Sequence, residues 1–114
     1  MLPSKYRLKK RSSFARVELQ GNISQFPSFG MGTIERKDLE PTLFGFVIST
    51  KISKLAVTRN KIKRILSDAV RVNYESIKPG YDVVFLVKPI AAKKESGVLT
   101  SEVMQALQKT NLLK

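Results

Sequence analysis

Apolar residues recur at helical spacing between residues 56 and 73, and they form the strongest pattern in the chain. At about 100° per residue, one arc of a helix over this range is apolar and consists of Ile62, Ile65, Leu66, Ala69 and Val72. A second arc is polar, has Arg59 at its margin, and consists of Asn60, Lys63, Arg64, Ser67 and Arg71. This segregation predicts an amphipathic helix that packs through one side and presents a basic side to solvent.

Shorter periodic segments lie on both sides of this helix. One or two short strands are predicted within 22–36, over 23–26 and 29–34, and further strands over 43–50 and 81–87. Further helices are predicted over 12–19 and 96–109. Ser12 and Ser13 are suitable residues to cap the first helix, and Phe14 and Val17 share one of its faces. The buried stripe predicted for the last helix consists of Val98, Leu99, Val103, Ala106 and Leu107. Residues 35–42 are polar, contain Pro41 and are predicted as a loop.

The strand over 43–50 predicts which side of the sheet is buried. Phe44, Phe46 and Ile48 alternate onto one side, which should face the core. The other side carries small residues, as expected of a surface that a ligand approaches: Gly45, Val47 and Ser49.

The element order predicts an α+β fold. The order α-β-β-β-α-β-α places strands in one layer and helices in another, which is a two-layer sandwich. With 114 residues, the chain has room for one core, so residues 1–114 are expected to form a single domain.

The charge balance predicts an acidic partner. The chain has 21 Lys and Arg against 9 Asp and Glu, a formal net charge of +12, and such self-repulsion opposes compaction unless a polyanion binds. An anionic membrane is disfavoured because no apolar run of about 18 residues occurs, and the basic segment 1–11 has no apolar stretch of the kind found in secretory signals. A cytoplasmic location is therefore expected.

The residue types that are missing argue against an autonomous enzyme. The chain has no cysteine and no histidine, which excludes a disulfide, a thiolate nucleophile, a cysteine–histidine zinc site and imidazole proton transfer. The few acidic residues are scattered, apart from Asp38 and Glu40 in a predicted loop. We expect no catalytic residues and no metal site in the protein itself, and a binding function instead.

The candidate binding residues are basic and concentrated at the long helix. Six Lys and Arg and no acid lie between residues 51 and 64: Lys51, Lys54, Arg59, Lys61, Lys63 and Arg64. A solvated helix face is the simpler interpretation of such a run. Here, however, the cations share one face and the preceding loop, and no acid lies at i,i+4 spacing within the run. Arginine forks and the amide of Asn60 suit a phosphate backbone, so RNA is the favoured ligand.

These residues also carry a resemblance to a known family. The run from Lys54 to Arg64, KLAVTRNKIKR, resembles the Arg-Asn signature of the bacterial ribonuclease P protein component. The likeness extends in order through the opening segment Leu2–Lys10 with Phe14, through Phe44-Gly45-Phe46 followed by Ser49 and Lys51, and through Pro79-Gly80-Tyr81-Asp82. The matches cover most of the chain at family-like spacing.

The resemblance implies a function and a distribution of roles. A catalytic RNA removes the 5′ leader of precursor tRNA, and the protein assists it, is expected to be inactive alone, and holds no cofactor; Mg²⁺ is expected in the holoenzyme, mainly on RNA. The residues implied to bind the catalytic RNA are Lys51, Lys54, Arg59, Asn60, Lys63, Arg64 and Arg71. A cleft beside the first helix is implied to hold the leader, with Arg7, Lys9, Lys10 and Phe14. The resemblance also implies a left-handed β-α-β crossover, against the general right-handed rule.

Several alternatives stay open at this point. The chain departs from the family pattern at four positions, Glu18, Gly30, Gly32 and Ser67. These departures affect the expected contacts with the leader more than the expected contact between the long helix and RNA. Phe14 either stacks on a base or only packs beside Val17. A ribosomal or other structural RNA-binding protein is the main alternative function. A DNA-binding regulator is disfavoured because strand-like segments, rather than a second helix, flank residues 56–73.

Overall fold

The computed structural model describes residues 2–114. Its helices are α1 (Arg11–Gln20), α2 (Ala56–Asn73) and α3 (Ser96–Lys109), and its strands are β1 (Asn22–Gln25), β2 (Phe29–Glu35), β3 (Leu43–Val47) and β4 (Tyr81–Val87). Short 3-10 turns span Ser4–Tyr6, Tyr74–Ser76 and Pro89–Lys93. The order is the predicted α-β-β-β-α-β-α, and α2, β4 and α3 begin and end where the sequence patterns predict.

The four strands form one mixed sheet in the order β1-β2-β4-β3. β2 pairs antiparallel with both β1 and β4, whereas β3 and β4 are parallel neighbours. Parallel neighbours require a crossover connection, and α2 supplies it. The left-handed sense of that crossover stays a prediction from the resemblance.

The main core lies between the sheet and the pair α2 and α3. The rings of Phe29, Phe44 and Phe85 are fully buried on this side, and Phe46 stacks on Phe85 with 5.3 Å between ring centroids. Each buried ring or aliphatic side chain contributes about 1.5–3 kcal/mol relative to leaving it in water. The alternation predicted for Phe44, Phe46 and Ile48 is confirmed, because all three belong to this core.

A second, smaller cluster covers the opposite face of the sheet. Val17 of α1 is fully buried there against Val84, with Leu8 and Phe14 beside them. A Cβ atom at Gly45 would lie 2.4 Å from the Phe14 ring, so the helix can approach only because residue 45 is glycine. At Gly45, the small-residue side of β3 is therefore contacted by Phe14 of the same protein.

Several local predictions were wrong, each because packing overrides the local pattern. β3 ends at Val47, three residues before the predicted end at residue 50. Val72 is 73% exposed, because α2 is rotated so that Val70 and Ser67 are buried in its place. Val98 is 42% exposed in the first turn of α3, where Leu99 alone turns inward.

The start of α1 also differs from the prediction. The helix begins at Arg11, so Ser12 and Ser13 lie inside it and cannot cap it. The capping residue is Lys10, whose side chain accepts no hydrogen bond from the helix. The first amide groups of α1 therefore lack a side-chain acceptor at the cap position, and this end of the helix carries a partial positive charge.

Within residues 2–114 no helix combines the length and the apolar character needed to cross a membrane.

Candidate nucleic-acid interface

The predicted RNA-binding residues lie together on α2 and on the loop before it. We call this the α2 surface; its members are Lys51, Lys54, Arg59, Asn60, Lys63, Arg64 and Arg71. Arg59 and Lys63 are half-buried and the other five are exposed. The amphipathic pattern of α2 places them on one side because the opposite side, with Ile62 and Leu66, packs into the main core.

Within the described residues, most cations of the α2 surface have no acidic partner. Among residues 2–114, no carboxylate lies within ion-pair distance of Lys54, Lys63 or Arg64. Arg71 approaches Asp68 with 3.8 Å between Nε and Oδ1, and because this distance is long and the Arg71 side chain is 52% exposed, the contact contributes little. The charges of Lys63 and Arg64 are therefore available to an external anion.

Arg59 has a positioning role in addition to its charge. Its Nη1 donates a hydrogen bond of 2.7 Å to the carbonyl oxygen of Ser53, which ties the loop to the first turns of α2. Within the loop, the Ser53 hydroxyl accepts a hydrogen bond from the Leu55 amide, and the Ser49 hydroxyl accepts one from the Lys51 amide. These bonds hold Lys51 and Lys54 next to the helix, so the loop and α2 form one surface.

The basic N-terminal segment lines a cleft of about 430 Å³ on the side of the sheet that α1 covers. We call it the N-terminal cleft; its cationic lining residues are Lys5, Arg7, Lys9, Lys10, Arg16 and Arg36. Three of the four predicted leader-binding residues, Arg7, Lys9 and Lys10, therefore meet at one place. Phe14, the fourth, does not line this cleft, because its ring packs on Gly45.

The floor of the cleft contains a buried carboxylate. Asp82 accepts a hydrogen bond of 2.6 Å from Nη1 of Arg36, and Arg16 approaches its second oxygen at 4.0 Å. Arg7 presents a different situation, since its buried Nε has no acceptor within the described part of the chain. One carboxylate thus faces an excess of cations, and the cleft keeps a net positive charge.

Among the cations of residues 2–114, Arg36 donates the most side-chain hydrogen bonds. It makes six hydrogen bonds, to the side chains of Asp38 and Asp82 and to the carbonyl oxygens of Tyr81, Glu40 and Pro41. Burial opposes its charge, but the hydrogen bonds that Arg36 donates to Asp38 and Asp82, together with the negative charge of these carboxylates, outweigh it and raise the pKa of Arg36. The hydrogen bond from Arg36 lowers the pKa of Asp38. Arg36 therefore serves the structure, although it lies at the cleft.

Besides Arg36, sequence reasoning missed two cations of the cleft, Lys5 and Arg16. Both belong to the basic N-terminal segment, so the charge signal was available, but only the tertiary structure brings Arg16 opposite Asp82, 66 positions away. Within residues 2–114 there is no group of three or more acidic residues that could hold a metal ion.

Comparison with known proteins assigns the family. The family described as Ribonuclease P matches residues 2–111. The ribonuclease P protein component of Pseudanabaena sp. is 33% identical over 113 residues, covering 99% of this chain and 97% of the relative. That of Trichormus variabilis is 34% identical over 134 residues, covering 98% and 96%.

Solved structures agree at the level of the fold. The RNase P protein of Staphylococcus aureus superposes with a TM-score of 0.88 at 24% identity, covering 96% of this chain and 98% of that one. The RNase P protein of Thermotoga maritima gives 0.80 at 21% identity, covering 90% and 96%. The chain belongs to the family of ribonuclease P protein components.

Proposed function

We propose that this chain is the protein subunit of ribonuclease P and assists a catalytic RNA in removing the 5′ leader of precursor tRNA. The observation that carries the proposal is the α2 surface, where neither the half-buried Lys63 nor the exposed Arg64 has a carboxylate partner among residues 2–114. A dense set of free cations binds a polyanion by releasing the counterions condensed on it. In this proposal the α2 surface binds the catalytic RNA.

The N-terminal cleft is the proposed site of the leader. Its cations line a concave path beside α1. The Nε of Arg7, which has no acceptor among residues 2–114, and the first amides of α1, which lack a side-chain cap, are suited to phosphate oxygens. Holding the leader there raises the affinity for precursor tRNA over mature tRNA, because the mature product has no leader to bind.

Phe14 takes a supporting role in this proposal. Its ring packs against Gly45 beside Leu8, which fixes α1 on the sheet and thereby sets the position of Lys10 and Arg16 at the cleft. The packing alternative for Phe14 is thus favoured over base stacking.

The bond-breaking chemistry is assigned to the RNA. The chain has no histidine or cysteine, and residues 2–114 offer no acidic cluster for a metal. The Mg²⁺ ions that activate the attacking water would sit on RNA phosphates, and the protein would lower repulsion between the two RNAs. A cytoplasmic place of action fits this division of roles.

Reconstitution tests the proposal. Purified protein is added to a bacterial ribonuclease P RNA and precursor tRNA at low magnesium, and the mature 5′ end is measured. We expect stimulated leader removal with both components and no cleavage by the protein alone. A protein that binds the RNA but gives no stimulation would be a structural RNA-binding protein instead, and cleavage in RNA-free preparations would contradict the assignment of catalysis to RNA.

A further inference from the structure

A second cavity, of about 450 Å³, lies near the N-terminal cleft and has a different character. We call it the Tyr6 pocket; it is lined by Tyr6, Leu39, Pro41, Tyr74, Ile77 and Pro79, with Glu75 and Lys114 among the other lining residues. The lining of this pocket is thus mainly aromatic, proline and aliphatic, whereas the lining of the N-terminal cleft is rich in cations. Neither the binding roles that the resemblance implies nor the proposed binding of the leader assigns a ligand to this pocket.

The aromatic wall of the pocket is fixed in place. The rings of Tyr6 and Tyr74 stack with centroids 3.9 Å apart, and Phe44 supports Tyr74 from the core. The Tyr74 hydroxyl donates a hydrogen bond of 2.7 Å to the carbonyl oxygen of Thr42. Burial raises the pKa of Tyr74 to about 12, so this hydroxyl keeps its proton at every physiological pH. The rings are therefore preorganised before any ligand arrives.

The opposite wall is a rigid loop that exposes a leucine. Arg36 hydrogen-bonds the loop at Asp38, Glu40 and Pro41, and the Gly80 amide donates to the Glu40 carbonyl oxygen at 2.8 Å. Residue 80 has φ +90, and a Cβ there would lie 2.6 Å from the Asp38 carbonyl oxygen, so glycine permits the close approach. Held in this way, Leu39 is 91% exposed. A fixed loop that keeps an apolar side chain in water is suited to contact a ligand.

The connection between the pocket and the cleft indicates the ligand. Tyr6 lines the pocket, its neighbour Lys5 lines the cleft, and the Lys5 ammonium lies 5.1 Å from the centroid of the Tyr6 ring. An RNA strand in the cleft would place one phosphate next to Lys5 and the following base in the pocket. Aromatic and apolar walls suit the flat face of an unpaired base, which has no sequence requirement for stacking.

We propose that the Tyr6 pocket binds one unpaired base of the RNA strand whose backbone lies in the N-terminal cleft, with Leu39 and the Tyr6 ring as its contacts. The inference rests on the proposed function, because it extends the leader's path beyond the cleft. A protein or peptide ligand for the same apolar walls is the competing outcome of the test.

The test uses a short single-stranded RNA in which one base is replaced by 2-aminopurine, moved along the strand position by position. With the full-length wild-type protein we expect fluorescence quenching at one main position, where the base enters the pocket. Leu39→Asp should abolish that quenching and weaken binding about tenfold, since stacking contributes about 1–3 kcal/mol per base and the new carboxylate repels phosphate.

Leu19→Asp is the matched control. Leu19 is 83% exposed at the end of α1 and does not line the pocket or the cleft, so this variant adds the same charge to a similarly exposed leucine. With this variant, the 2-aminopurine fluorescence should be quenched at the same position and to the same extent as with the wild type. Because Tyr6 also packs on Tyr74, Leu39→Ala rather than a Tyr6 variant serves as the milder second test, with a smaller loss at the same position.

The outcomes separate the two proposals. If the wild type binds ribonuclease P RNA and Lys63→Ala weakens that binding, but Leu39→Asp binds and quenches the short single-stranded RNA as Leu19→Asp does, the pocket proposal is overturned and the proposed function stands. The same conclusion follows if Leu39→Asp abolishes the binding of a peptide to the pocket but leaves the quenching of every RNA base unchanged. Failure of the wild type to bind any ribonuclease P RNA or leader would overturn both.

Discussion

The loop between β2 and β3 and the α2 surface are both rich in charge, but their arginines have different surroundings. In the loop, Arg36 makes hydrogen bonds to two carboxylates and three carbonyl oxygens, and its side chain is only 14% exposed. On α2, Arg64 is exposed and has no carboxylate partner within residues 2–114. The same residue type therefore stabilises the fold at one place and is available for binding at the other.

The difference comes from the acidic residues nearby. Asp38, two positions after Arg36, and Asp82 on β4 supply the acceptors that the loop arginine needs. Between residues 51 and 64 the sequence contains no acid at all. Net charge alone does not identify a binding surface; the cations that remain after internal pairing do.

The largest effect expected is on stability at Arg36. Arg36→Ala leaves the Asp82 carboxylate buried without its main partner, which costs about 3 kcal/mol of unfolding free energy. Arg64→Ala should change that free energy by less than about 0.5 kcal/mol, since the side chain is exposed. Urea unfolding measures both. Equal midpoints for the two variants would remove the distinction between paired and free arginines.

Arg59 combines both roles and should give an intermediate effect. Arg59→Ala removes the hydrogen bond to the Ser53 carbonyl oxygen and should cost about 1 kcal/mol of unfolding free energy. It should also weaken binding to ribonuclease P RNA, because the loop that carries Lys54 is released. Arg59→Lys keeps the charge, so it should restore the salt dependence of binding but not the stability. If lysine restores both, the positioning role is wrong.

The smallest effect concerns acid pH. The hydrogen bond from Arg36 lowers the pKa of the exposed Asp38 from its ordinary 3.8, so the folded chain binds this proton more weakly than the unfolded chain. The contribution is present above the ordinary pKa and is lost as pH falls through the lowered value. Asp38→Asn should therefore make thermal stability less sensitive to pH in that acid range only. A variant that loses stability with acid as steeply as the wild type would contradict this.

The sequence predicted the elements well where periodicity was strong. The bounds of α2 and β4 agree with their patterns, since an amphipathic arc and an apolar run are local properties. The rotation of α2 was not predictable from the same pattern. Val70 and Val72 are the same residue type, and only the packing of neighbouring segments decides that Val70 is buried.

The sequence was sufficient to predict which charged residues form the site, but not which distant residues contact each other there. The α2 surface is formed by one continuous segment, so sequence spacing sufficed to find it. The N-terminal cleft needs Arg16 and Asp82 together, and the Tyr6 pocket needs Tyr6 beside Tyr74, pairs that are far apart in the chain. The resemblance placed Phe14 with the leader; the missing Cβ at Gly45 lets its ring pack on the sheet, and its contact with the leader stays a prediction.

The most direct test of the central claim is the salt dependence of binding to ribonuclease P RNA. The double variant Lys63→Ala/Arg64→Ala is compared with Lys93→Ala/Lys109→Ala, which removes the same charge from exposed positions near α3. If the α2 surface contacts phosphates, the first variant lowers the slope of log K against log salt by about 1.5–2 units, and the second leaves it near the wild-type value. Equal slopes for the two double variants would contradict the account.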